Sequence, residues 1–328
     1  MDSYGVGKKK VRKAGKFLAD GGTQQPRLDE ALETVNLWRF IHIEVLREAL
    51  DVLESACGDI CSPILVGRIK RLDTIIDKLR ADPKHNLDRM GDISGARLIV
   101  RDDEEVYRLS KAIEGFDGKN IRVINDYIKD PKENGYRGIH LSYKRNFDQL
   151  HLQNMLTEIQ IRSHKQHLWA TTVELFDTVS DVGLKRGRAP KDYDRYFRLI
   201  SDLMTESTSD AEGLREELKV LEEKLHVFER LEATADSMYA MTDGAEGVCR
   251  ANLCVIKAYF AYQTIELEVY DSDCANKAVR RYAELEEGDD AGIFLLARAS
   301  SADDLKIAYP NFYVNSNEFC NWLGEQLS

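Results

Sequence analysis

The sequence predicts an α+β fold: a β-sheet with flanking helices, then a helical stretch, then a small α/β module. Three observations point there. Residues 28–57 and 190–235 carry apolar side chains at helical spacing over long runs. Between them lie short apolar or alternating segments at 96–100, 121–125, 139–144 and 158–162, with the period of strands. The composition, 43% hydrophobic and 31% charged over 328 residues, can bury a sizeable core and excludes wholesale disorder.

Residues 1–26 hold Lys8, Lys9, Lys10, Arg12, Lys13 and Lys16 with little to bury, so a basic flexible tail is expected there. It is expected to serve either as a solubilising terminus or as a contact for nucleic acid or the ribosome. Residues 28–57 read as a helix: Leu32, Val35, Ile43, Leu46, Leu50 and Leu53 share one face, with Trp38 and Val45 at its edge. Gly58 and Pro63 break it. Over 64–80, Leu65, Ile69, Leu72, Ile76 and Leu79 fall at i, i+4, i+7, i+11 and i+14, which predicts a second helix. Lys70, Arg71 and Lys78 lie on its opposite half, and Arg68 at the edge of the apolar stripe.

Strands follow. Ala96–Val100 is short, apolar and β-branched, as a buried strand should be. Residues 103–115 read as a helix packing back on it, 121–125 as a strand, and Pro131–Tyr136 as turn chemistry. In RGIHLSYK, Ile139, Leu141 and Tyr143 alternate with His140, Ser142 and Lys144; in TEIQIR, Ile159 and Ile161 alternate with Glu158, Gln160 and Arg162. Two strands with a polar second face are what floors a polar cleft. Helices are expected over 164–181 and 190–235, where Leu214, Leu218, Leu221, Leu225 and Phe228 suit a connector or a helix-pairing surface. From about residue 246 the pattern changes to strand 264–271, helix 274–288, strand 291–300, a short helix and a final one. The organisation expected is a tail (1–26), a principal domain (27–188), a helical connector (189–240) and a small α/β module (241–328).

Composition narrows the function. Against 57 Asp+Glu stand 46 Lys+Arg, a net charge of −11, which argues against a general nucleic-acid coat protein but leaves room for a local basic site. No apolar run reaches the ~18 residues of a membrane span, so no membrane association is expected. Six scattered cysteines form no CxxC pair, which suits a reduced, cytoplasmic protein.

Asp92, just before the Ala96–Val100 strand, and Glu158, on the polar face of its own strand, can serve the cleft. Two carboxylates beside several cations are the recipe for Mg²⁺-assisted phosphoryl chemistry: the metal needs hard oxygen ligands and phosphates need Arg and Lys. Arg68, Lys70 and Lys78 are placed to hold a polyphosphate. Tyr136, in an Asn-Gly-Tyr turn, can present a ring for base stacking. The bland alternatives are a cap for Asp92 and an ordinary ion pair for Glu158. GxxxxGK[ST] and GxSxG are both absent, so Walker-type binding and a nucleophile elbow are excluded. His164 and His167 have a spacing that could ligate a metal, with no third ligand evident. The residues alone reach a nucleotide-using Mg²⁺ enzyme.

Four segments, Arg68–Lys78, Gly91–Val100, Asp126–His140 and Glu158–Ala170, resemble in order the synthetase domain of RelA/SpoT-type alarmone synthetases. The resemblance covers roughly residues 30–185. It implies a nucleotidyltransferase-like mixed β-sheet flanked by helices. It also implies transfer of the pyrophosphate of ATP to the ribose 3′-OH of GDP or GTP, giving ppGpp or pppGpp and AMP. By the same resemblance Asp92 would bind Mg²⁺, and Glu158 would orient or deprotonate the hydroxyl and share the metal. Arg68, Lys70 and Lys78 would bind ATP. Tyr136 would stack on the acceptor base with Lys132, Asn134 and His140 around it, and Arg162 would help hold the site together.

Gly138 stands where the family usually has Ser, and after Trp169-Ala170 the usual Glu-His pair is replaced by a run with Glu174 one place late. These departures bear on acceptor identity. No His-Asp pair occurs, so no HD-type hydrolase domain is expected. The reading is thus a short synthetase with an extension. Still open are a toxin-like pyrophosphokinase acting on the tRNA 3′ end or adenosine nucleotides, and a synthetase gated by a stress or phage partner at the C-terminal module. A tRNA or protein contact at the basic tail and a homo-oligomer paired through residues 210–235 also remain open.

Overall fold

The computed structural model describes residues 6–58, 60–147, 152–180, 182–184, 188–205, 210–235, 240–241, 248–249, 251–259, 264–288, 292–309 and 317–328. In chain order the helices are α1 (Lys8–Ala19), α2 (Arg27–Cys57), α3 (Leu72–Ala81), α4 (Asp103–Phe116), α5 (His164–Ser180), α6 (Lys191–Leu203), α7 (Ala211–Leu225), α8 (Val227–Ala235), α9 (Ala275–Glu287), α10 (Ala302–Ala308) and α11 (Asn317–Leu327). The strands are β1 (Ile64–Ile69), β2 (Ser94–Val100), β3 (Ile121–Asp126), β4 (Ile139–Phe147), β5 (Leu152–Ser163), β6 (Ala240–Met241), β7 (Leu253–Tyr259), β8 (Thr264–Tyr270) and β9 (Ile293–Ala299). They form one nine-stranded mixed sheet in the order β3-β4-β5-β2-β1-β9-β7-β8-β6. β2 and β5 run parallel, and β1 is antiparallel to both of its neighbours, β2 and β9. No helix among the described residues is long and apolar enough to cross a membrane.

On one face of the sheet, α2, α4 and α9 cover a core containing Leu46, Leu50, Leu53, Leu98, Leu109, Ile159, Ile161, Tyr282 and Leu296. At ~1.5 Å per residue, α2 is about 46 Å long. It serves two cores. Ile43, Leu46, Leu50 and Leu53 face the sheet, while Val35, Trp38 and Val45 face α1 and α3. The predicted single apolar face is therefore one of two.

Residues 64–80 are not one helix. Leu65 and Ile69 satisfy a strand's i, i+2 alternation as well as a helix's i, i+4, and tertiary partners decide between the two. β2 and β9 offer backbone on both sides, and Gly67 weakens a helix. A Cβ on Gly67 would lie 3.0 Å from Leu46 and Leu50, so glycine lets α2 press onto β1. The helix begins only at Leu72.

The described part of the basic tail is not flexible chain either; residues 1–5 lie outside the described residues. Lys8–Ala19 is helical, and Val11, Ala14 and Leu18 bury a narrow stripe against Ile75, Leu79 and Leu87. Arg12 pairs with the carboxylate of Asp88 at 2.8 Å. The charges, which dominate the sequence here, cover only the outer side.

The α/β module expected from 241 does not stand as a separate sheet. β9 pairs with β1, Val66 opposite Ala299 and Ile69 opposite Leu296, and β7 pairs with β9 in turn. β7, which the sequence reading passed over, is central and buried on both faces. The expected connector is three helices, α6 to α8. Leu214, Leu218, Leu221 and Leu225 pack within the chain against α5, α6 and α11, so that stripe is covered without a second copy. Residues 206–209, 236–239 and 242–247 of the connector and its expected boundary lie outside the described residues.

Candidate active site

The register of four adjacent strands builds the floor of the cleft. Arg68 of β1 lies opposite Gly95 of β2, which lies opposite Glu158 of β5, which lies opposite Ser142 of β4. Two residues along, the row reads Val66, Arg97, Gln160 and His140. Neighbours in sequence point the other way: Leu65, Ala96, Leu98, Leu141, Ile159 and Ile161 are in the core against α2 and α4. A one-residue slip in any strand would exchange the faces, so burial of the apolar set locks the polar set in place. Gly95 leaves space between Arg68 and Glu158, since a Cβ there would meet nothing closer than 3.8 Å.

On the β4–β5 side, five side chains close a hydrogen-bonded ring. Arg162 Nη2 donates to Tyr136 Oη at 3.1 Å, and Tyr136 Oη meets His140 Nε2 at 2.6 Å. His140 Nδ1 lies 3.2 Å from Glu158 Oε1, and Gln160 Nε2 donates to Glu158 Oε2 at 2.7 Å. Gln160 Oε1 accepts from Arg162 Nη2 at 2.9 Å. Both imidazole nitrogens of His140 are engaged in the ring, Nε2 with Tyr136 Oη and Nδ1 with Glu158. Burial alone would raise the Glu158 carboxyl, but His140, Gln160 and Arg68 together outweigh it and hold the group at about 2. Glu158 is therefore an acceptor of hydrogen bonds at any physiological pH.

Tyr136 sits in an aromatic nest. Tyr127 and His140 meet its ring edge-on at 5.6 and 5.5 Å. The Lys132 ammonium lies over both Tyr127 and Tyr136, at 4.6 and 4.9 Å. Burial lowers the Lys132 pKa, only partly offset by Glu158. Asn134 faces its own loop, accepting from the Tyr136 backbone N–H at 3.1 Å in an Asx turn. α6 carries that loop: Arg137 pairs with Asp202 at 2.7 Å and Arg198 donates to the Lys132 carbonyl at 3.0 Å. Gly138 has φ +145°, and a Cβ there would lie 3.3 Å from Arg162 Cγ, so glycine at this place brings Arg162 close beneath Tyr136.

On the β1–β2 side, Lys70 follows β1 and Lys78 is on α3. Both donate to Asp92 Oδ2, at 3.0 and 2.8 Å. Burial works to raise the Asp92 carboxyl, and the two ammonium groups more than offset it, leaving the pKa below its ordinary value. Asp92 Oδ1 is buried and has no hydrogen-bond partner. Among the described residues no group of three or more His, Cys, Asp or Glu is arranged around a metal. Mg²⁺ in nucleotide enzymes takes one or two carboxylates and completes its shell with phosphate and water. An orphaned buried carboxylate oxygen beside two lysine ammonium groups fits that mode. Arg68, half-buried at the centre, interacts electrostatically with Glu174, Tyr309, Glu158 and Asp92.

The fold therefore brings together Asp92, Arg68, Lys70 and Lys78 on one side, and Glu158, His140, Tyr136, Lys132 and Arg162 on the other. Asn134 lies in the same loop, its Oδ1 taken by the turn. Arg68 and Lys70 arrive at a strand end rather than on a helix. His167 does not join a metal pair; its Nε2 lies 2.8 Å from the Ile307 carbonyl. Three further residues were not singled out as site residues by the sequence. Gln160 closes the ring, and the alternation in TEIQIR that revealed Glu158 also revealed it. Arg97 stands two residues beyond Gly95 on the same face, with its pKa pushed down to about 9 by burial and by Arg162 and Arg68. Glu174, noted as a displaced acid, comes from α5 to Arg68 and Arg97.

Comparison with known proteins bears out the resemblance in the motifs. Residues 67–175 match the family model described as a region found in RelA / SpoT proteins. The chain is 30% identical over 185 residues to a Mycobacterium tuberculosis protein named only as uncharacterized, covering 55% of this chain and 62% of that one. It is 32% identical over 117 residues to the GTP pyrophosphokinase YjbM of Bacillus subtilis, covering 34% of this chain and 54% of the relative. The chain thus spans 62% of the length of the first curated relatives it matches. Among solved structures, small alarmone synthetase 1 from Bacillus subtilis aligns with a TM-score of 0.41 and 24% identity, over 56% of this chain and 96% of that one.

Proposed function

We propose that this protein transfers pyrophosphate from ATP to the ribose 3′-hydroxyl of GDP or GTP, making ppGpp or pppGpp and AMP. The observation that carries the reading is the pair of opposed clusters across Gly95: a cation-clamped carboxylate, Asp92, on one side and an ionised carboxylate, Glu158, in the ring beside Tyr136 on the other. Two RelA/SpoT relatives in Bacillus subtilis are named GTP pyrophosphokinases, which supports the same chemistry.

Arg68, Lys70 and Lys78 hold the ATP polyphosphate. The acceptor base lies at Tyr136 and Tyr127, and Lys132 swings from the rings to the acceptor phosphates. Glu158 accepts the hydrogen bond of the 3′-hydroxyl and orients its oxygen toward the β-phosphorus. The oxygen attacks, the bond between the β-phosphorus and the bridging oxygen to the α-phosphorus breaks, and AMP departs with that oxygen. A carboxylate held near 2 is a weak base, so the proton passes to Glu158 late, as the new P–O bond forms. Gains of this kind come from positioning and charge stabilisation. Mg²⁺, taken by Asp92 Oδ1 together with the phosphates, would supply neutralisation of the transferring group.

The test offers [β-³²P]ATP and Mg²⁺ with GDP, GTP, ATP and deacylated tRNA in parallel. Label on GDP or GTP, reduced about 10²–10⁴-fold in Glu158→Gln with the ATP KM little changed, is the expected result. Label on tRNA or an adenosine nucleotide would overturn the acceptor, and label nowhere would overturn the activity.

A further inference from the structure

Residues from the C-terminal region enter the candidate site from both faces of the sheet. On the cleft face, the Ala308 carbonyl accepts from Arg97 Nη1 at 3.0 Å, and the Tyr309 ring lies against the Arg97 guanidinium, 5.8 Å from its carbon. Arg97 shares this face with Arg68 and has a buried Nε with no hydrogen-bond partner. Tyr309 is 4% exposed and Ala308 and Leu305 are 0%, in a core with Val66 and Ile99 of the site strands and Leu295 and Ala297 of β9. Such a contact is not a lid, because opening it would unpack a core.

On the opposite face, Glu286 at the end of α9 accepts from the Leu72 backbone N–H, at the start of α3, at 3.0 Å. It also pairs with buried Arg39 at 2.7 Å, and Arg39 donates to the Lys70 carbonyl at 3.1 Å. The turn joining Lys70 to the helix of Lys78 is thus clamped by the C-terminal region as well.

We infer that Tyr309 is a positioning residue for the nucleotide that donates the transferred group. It fixes the plane of Arg97 beside Arg68, so that the C-terminal region completes the donor half of the site. The inference rests on the pyrophosphate-transfer reading above. A guanidinium held by the Ala308 carbonyl and the ring, and repelled by Arg68 and Arg162, has few orientations open to it. Losing the ring frees rotamers that must be refrozen when phosphate binds.

The experiment compares the full-length chain with Tyr309→Phe, which keeps the ring, and Tyr309→Leu, which keeps an apolar side chain in the core. Titration with Mg²⁺ and a non-hydrolysable ATP analogue is measured by calorimetry, alongside steady-state KM values for ATP and for acceptor, and melting temperatures. Weakening of analogue binding and a rise in ATP KM by about tenfold in Tyr309→Leu are expected, with Tyr309→Phe near wild type and the acceptor KM unchanged. Unchanged ATP affinity in Tyr309→Leu overturns the inference. So does an equal loss for both nucleotides, or a gain of activity. A wild-type chain that binds the analogue but transfers no label would overturn the transfer reading instead, while the binding comparison still tests Tyr309.

Discussion

The two halves of the candidate site are built differently. The β4–β5 half is local: the ring through Arg162, Tyr136, His140, Glu158 and Gln160 joins residues no more than 26 apart in sequence. The β1–β2 half adds to its short-range bonds, Lys70 and Lys78 to Asp92, two that span the chain, Leu72 to Glu286 over 214 residues and Arg97 to Ala308 over 211. The ring's own bonds are short-range, and α6 fixes the loop that presents Tyr136 through Arg137–Asp202 and Arg198 on the Lys132 carbonyl. A half assembled from distant parts acquires its geometry only when the nine-stranded sheet is complete.

That contrast can be attacked first at Glu286. Replacing it with Gln leaves the Arg39 guanidinium, 1% exposed, without a counter-charge. Breaking one partner of a buried pair costs about 3–5 kcal/mol. Urea unfolding should show that loss, with ATP KM raised and acceptor KM intact; a loss below about 1 kcal/mol would mean the distant clamp is not holding the β1–β2 half.

The local half is sharpened by pH. The Glu158 carboxyl is lowered from 4.5 to about 2 in the folded chain, so folding favours its ionised form. Its contribution is complete above pH 4.5 and disappears as pH falls toward 2. The stability gap between wild type and Glu158→Gln, on the order of a few kcal/mol at neutral pH, should narrow across that window. A gap that stays constant down to pH 2 would show that the ring does not hold Glu158 as described.

The smallest effect is expected of Tyr136→Phe, which removes one oxygen from the ring and leaves His140 Nε2 and an Arg162 donor without that partner. The cost should be about 1–3 kcal/mol. It should appear in turnover and acceptor KM and spare ATP affinity; an equal change in both KM values would dissolve the distinction between the halves.

The local half is also the half legible from sequence. Alternation in RGIHLSYK and TEIQIR named the polar face, and one period of two assigned Glu158, Gln160, Arg162 and His140 to it together. Asp92 was legible from its place before an apolar strand. Asn134 has a second role that the sequence did not single out, because an Asx turn and a ligand contact ask for the same residue type. Arg97 was passed over because, in ARLIV, a single polar residue in an apolar strand reads as buried structure.

What the sequence alone determined was the alternation of β4 and β5, the long helix α2, the two carboxylates and the cations near them. These follow from local periodicity and side-chain chemistry, which no distant contact reverses. Tertiary structure decided the rest. Residues 64–69 carry a pattern compatible with helix and strand, and only the flanking backbones of β2 and β9 settle it as a strand. The basic N-terminal segment became a packed helix because α3 and Leu87 offered a surface for Val11, Ala14 and Leu18. The C-terminal module became part of the main sheet because β1 has two hydrogen-bonding edges and β2 fills only one. An open edge is invisible in a sequence, since it is a property of what stands beside a strand and not of the strand itself.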